Sequence, residues 1–96
     1  MMFVVLLKFA ENRSRAGQFM DGHKSWIQKG LADGVFLVVG SLQPNLGGAV
    51  LAHGVTREDL QARIDQDPFV IEGIVSAEII EIAPGQTDPR LEFLKA

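Results

Sequence analysis

The chain has 96 residues, with 9 Lys and Arg against 12 Asp and Glu, and a net charge of −3. That is enough for one domain, residues 1–96, with no basic stripe of the kind nucleic-acid readers carry. There is no cysteine, which excludes a disulfide framework, a thiolate nucleophile and a Cys-based metal centre.

The N-terminal stretch "MMFVVLLKF" is apolar but short. It lacks the charged start and small-residue cleavage site of a signal peptide. About seven residues before Lys8 fall far below the roughly 20 needed to cross a bilayer. We expect a cytoplasmic protein with no membrane segment. Residues 3–9, "FVVLLKF", are β-branched and aromatic and read as a buried first strand. A helix follows to about Ala32, with Asn12 or Ser14 as its cap. Within it Phe19, His23, Ile27 and Leu31 are spaced by four, so an apolar stripe carries one histidine.

"DG" at 33–34 stops that helix, and "VFLVVGS" (35–41) is a second strand. "LQPNLGG" (42–48) has the Pro, Asn and Gly composition of a loop, and "AVLAHGV" (49–55) is a third strand. Gly47-Gly48 precedes no helix and no Lys-Ser/Thr, so it is no phosphate loop. Thr56 with Asp59 resembles a capping box and opens a second helix to about Gln66, with Leu60 and Ile64 inward. "GIVSAEIIEIAP" (73–84) holds the fourth strand. In the tail, about 85–96, Leu91, Phe93 and Leu94 suggest docking on a neighbour.

The order βαββαβ predicts an α+β, ferredoxin-like domain: a four-stranded antiparallel sheet with two helices on one face. Strands 1, 2 and 4 carry apolar residues on both alternations, where a half-wet antiparallel sheet would alternate apolar with polar. Nearly half the residues are hydrophobic, more than so small a monomer readily hides. Both facts predict a homodimer packed sheet against sheet, with room for higher assembly.

Two groups stand out chemically. His23 lies on the inner face of the first helix. Asp67 precedes Pro68, which biases it away from helical geometry and lets it cap a short turn "PFVIEG". A carboxylate that orients an imidazole makes a good general acid/base; the plain alternative is a satisfied core histidine and a structural cap. Spacing permits contact between the two but does not demonstrate it. Trp26, one step off the stripe, is a core or interface residue or a pocket wall. His53 lies near a loop and reads as exposed. Two distant histidines give no metal-ligand spacing, so neither a metal nor another cofactor is expected.

The chain resembles the YciI-like family, related to muconolactone isomerase and other dimeric α/β-barrel proteins. The matching pieces are the N-terminal strand, "GHKSWIQKG", "VVGSLQPNLGGAVLA" and "DPFVIEGIVSAEIIEI". The resemblance implies a face-to-face dimer with His23 and Asp67 at a shared site. Phe69 and Trp26 are candidate substrate contacts beside that site. Ser41 is a departure from the family, standing where members often have proline after glycine; its hydroxyl either serves a substrate oxygen or simply ends the strand. Arg15, with Arg13, is the candidate for an anionic substrate group, against the plainer reading of a solvated helix start. The implied function is cofactor-independent acid/base chemistry, isomerase-, lyase- or dehydrochlorinase-like, on a small cyclic or carbonyl-bearing molecule. The alternative is a small-molecule-binding or accessory dimer without turnover.

Overall fold

The computed structural model describes residues 1–95. Strand β1 (Met2–Phe9) buries Phe3, Val5 and Leu7 on one side and leaves Met2, Val4 and Leu6 partly exposed on the other. A 3-10 turn (Arg13–Arg15) leads into helix α1 (Ala16–Ala32). Strands β2 (Phe36–Leu42) and β3 (Gly47–His53) form a hairpin. Helix α2 (Arg57–Ile64), short helix α3 (Pro68–Ile71) and strand β4 (Val75–Ile82) complete the unit. The sheet order is β2-β3-β1-β4, with every neighbouring pair antiparallel. This is the ferredoxin-like arrangement, with α3 as a small addition. Among the described residues no helix is long and apolar enough to cross a membrane.

The core lies between the helices and one face of the sheet. Leu60 and Ile64 from α2, Phe69 from α3, Ile74 and Val75 meet Phe3, Val5, Phe36, Val50 and Ala52 there. Burying each large side chain stabilises the fold by about 1.5–3 kcal/mol.

A bulge in β2 explains why its apolar residues do not alternate. Phe36 pairs with Ala52, but Val38 pairs with Leu51, so Leu37 is the extra residue and the strand's phase flips. Phe36 is buried, Val38 is exposed, and Val39 returns to the inner face opposite Val50. The same flip brings Ser41 to the inner face, opposite Gly48. Part of the pattern that suggested two buried faces is therefore a local irregularity.

Helix α1 is turned from the expected stripe. Its buried residues are Trp26 and Gly30, and Leu31 is exposed. The phase is set by Phe36: a Cβ on Gly30 would stand 2.1 Å from that ring, so only glycine lets the strand approach. The start of α1 also differs from expectation. Neither Asn12 nor Ser14 caps it; Arg15 holds the N-cap position without a side-chain bond. Asn12 instead donates from Nδ2 to the Glu72 carbonyl at 2.8 Å, while its own amide reaches the Gly73 carbonyl at 3.2 Å. The residue is used to tie two loops together. The Thr56 cap is present: its Oγ1 accepts from the Asp59 amide at 3.1 Å.

The far face of the sheet exposes Val38, Ile80 and Ile82. The tail covers part of this chain's own surface. Leu94, in the 3-10 segment Pro89–Lys95, is buried, and Phe93 meets the His53 ring edge-on at 5.3 Å. The expected docking on a neighbour is thus, for Leu94, docking within the chain, whereas Leu91 and Phe93 stay exposed. His53, expected on the surface, is half-buried.

Candidate functional site

The site begins at the corner between α2 and α3. Pro68 starts α3, where a missing N–H costs nothing, and Asp67 before it is extended at φ −66°, ψ 122°. This points the Asp67 side chain over the first turn of α3, where Oδ1 accepts the Phe69 amide at 3.0 Å. Asp67 is completely buried. A carboxylate there needs a second partner, because burying an unpaired charge is costly. Helix α1 supplies it: His23 Nδ1 lies 2.8 Å from the same Oδ1. The two residues are 44 apart in the chain. Gly22 keeps the helices close; a Cβ there would stand 3.1 Å from Pro68 Cγ.

An ionised partner selects the tautomer of a neutral imidazole. Carboxylate Oδ1 only accepts, so Nδ1 is the donor, and in the neutral ring Nε2 keeps its lone pair. Asp67 Oδ2 is buried with no hydrogen-bond partner among the described residues, so the interaction is concentrated on one oxygen. The ring is held from its face as well. Phe69 stacks on it with centroids 3.9 Å apart and planes 2° from parallel. Trp26 lies 5.9 Å away at 22°; its indole N–H donates to the Arg63 carbonyl at 2.8 Å. Arg63 also pairs with Asp33 at 3.1 Å and, with Lys29, holds that carboxyl below the ordinary carboxylate range.

His23 borders a cleft of about 360 Å³ between α1, α3 and the inner face of the sheet. Such a volume suits a small molecule. Leu7, Phe9, Val39, Val50 and Val75 make an apolar floor; Met20, Trp26, Ile27 and Phe69 line it from the helices. The His23 side chain is 14% exposed, so the ring is reachable.

Of the residues singled out in the sequence, His23, Trp26, Ser41 and Phe69 line this cleft and Asp67 stands directly behind His23. Arg15 does not line it. It ends the 3-10 turn beside the tied loops, where its guanidinium reaches Glu72 at 3.6 Å and lies 5.3 Å from the Phe19 ring. Arg13 lies 4.1 Å from the Phe9 ring. Lys24 lines the cleft and was missed, because a lysine one residue after a histidine on an exposed helix carries no signal in sequence. Among the described residues no three His, Asp or Glu side chains gather as a metal-ligand set.

No protein-family model and no curated protein matches the chain. A solved structure does: the 5-chloro-2-hydroxyhydroquinone dehydrochlorinase of Burkholderia phenoliruptrix AC1100, in complex with 2,5-dihydroxybenzoquinone. The match has a TM-score of 0.71 at 12% identity and covers 88% of this chain and 96% of that one. At that identity the likeness is one of fold.

Proposed function

We propose that this chain is a YciI-like protein and a cofactor-independent acid/base enzyme, with His23 as the proton carrier and Asp67 as the group that orients it. The observation that carries the reading is the fixed imidazole: one nitrogen on a buried carboxylate at 2.8 Å, the ring clamped by Phe69, and the other nitrogen free beside an apolar cleft. In the proposed reaction Nε2 takes a proton from the substrate, and the electron pair moves into its ring or carbonyl. The proton returns to another atom, giving an isomer, or a leaving group such as chloride departs, giving elimination of HCl. The buried carboxylate stabilises the imidazolium formed in between. The fold neighbour's dehydrochlorination makes chlorinated hydroxyarenes the first substrates to try. The exposed apolar side chains of the far sheet face support the further proposal that two copies pair there.

The test is turnover of small lactones, enols and chlorinated hydroxyarenes by the wild type and by His23→Gln. A positioned acid/base contributes about 10²–10⁴-fold, so the substitution should lower kcat by that much with little change in melting temperature. Binding without turnover across the panel would instead mark the domain as a binding module, and turnover indifferent to His23→Gln would remove His23 as the proton carrier.

A further inference from the structure

The polar side chains on the cleft lining are three: His23, Ser41 and Lys24. Among the described residues no acidic side chain lines it. The nearest carboxylate in the site, Asp67, is buried behind His23 and engaged by it. Lys24 belongs to none of the ion pairs among the described residues, although the chain has acids in excess. Lys24 is exposed and offers a positive charge outside those ion pairs at the edge of an apolar, aromatic-walled cleft.

Resting on the acid/base reading above, we propose that the cleft takes a planar, monoanionic ring and that Lys24 is its specificity-determining contact. An enolate, phenolate or carboxylate oxygen meets the Lys24 ammonium, while the ring lies on the floor of Val39 and Val50 with Ser41 available to a second oxygen. The charge also serves the chemistry: proton removal by His23 pushes electron density onto the substrate oxygen, and a nearby ammonium stabilises that oxygen as its charge grows. A neutral ring of the same shape gains the apolar contacts but not the ammonium. One charge-assisted contact near a surface then separates the two by roughly tenfold in affinity.

The experiment needs no turnover. Amide and indole resonances of the isotope-labelled protein are followed by NMR while benzoate, or its neutral isostere benzamide, is added at constant ionic strength near neutral pH. Benzoate should move the Trp26 indole and the Ser41 and Gly48 amides, and bind roughly tenfold more tightly than benzamide. Lys24→Ala should abolish that preference, and Lys24→Arg should keep most of it. His23→Gln should retain the preference, so a failed catalytic reading leaves this result standing. Equal affinity for the two probes in the wild type overturns the proposal, as does absence of cleft shifts with either. A preference that survives Lys24→Ala but vanishes in Arg13→Ala would also overturn it, assigning the anion to the other cation.

Discussion

Asp67→Ala is the perturbation that most clearly separates the interactions at the corner. Asp67 Oδ1 caps α3 through the Phe69 amide at 3.0 Å and accepts from His23 Nδ1 at 2.8 Å. Losing an N-cap costs about 1 kcal/mol. Leaving the His23 donor without its acceptor costs about 1–3 kcal/mol, towards the low end because the ring can move its proton to Nε2. Removing a buried carboxylate whose Oδ2 has no partner among the described residues offsets part of this. The net loss is about 1–2 kcal/mol, which for a domain of this size lowers the melting temperature by roughly 4–16 °C. Asp67→Asn retains the shape and an oxygen to cap α3, and loses only the charge. It should stay within about 1 kcal/mol of wild type. The assay is thermal unfolding followed by circular dichroism at neutral pH. An Asp67→Ala protein melting within about 3 °C of wild type would refute the reasoning, as would an Asn variant as unstable as the Ala one.

Three further outcomes are expected. Gly30→Ala drives a methyl to 2.1 Å from the Phe36 ring; overpacking should cost about 1–3 kcal/mol, exceeding the gain of about 1 kcal/mol in helix propensity, and a denaturant midpoint below wild type would record it. Asp33→Asn should narrow the pH range of stability. The Asp33 carboxyl is held low by Arg63, then Lys29, so its contribution is present at neutral pH and is lost as pH falls through the depressed value. The melting difference between wild type and variant should therefore be visible at pH 7 and close below the ordinary carboxylate value of about 3.9. Val38→Glu places a charge on the far sheet face beside exposed apolar residues; if two copies pair there, sedimentation should show the variant shifting from dimer to monomer.

The element order was legible because each strand is a dense apolar run closed by turn residues, and four such runs with two helical stretches between them account for most of the chain. The phase within elements was less so. In β2 the apolar run Phe36–Val39 hides a bulge, since a strand with apolar residues on both parities has no alternation left to break. In α1 Leu31 and Gly30 compete for the inward position, and glycine wins because of Phe36, a residue outside the helix. Asn12 looked like a cap by type; its side chain is taken by a carbonyl 60 residues away, a contact no local pattern encodes. The Asp67 cap was readable from Asp-Pro chemistry, but its meeting with His23 required knowing that α3 packs on α1, which came from family resemblance. Arg15 and Lys24 show the same limit for long cations: their reach lets distant partners decide which of them faces a site.

The central claim is that a buried carboxylate holds the His23 proton on the inner nitrogen and leaves the outer one bare. Ring nitrogen shifts of ¹⁵N-labelled histidine, read above about pH 8 where an ordinary imidazole is neutral, measure this directly. The account predicts His23 protonated at Nδ1 in the wild type, with Asp67→Ala moving the proton to Nε2. A wild-type ring already carrying its proton on Nε2 would contradict it.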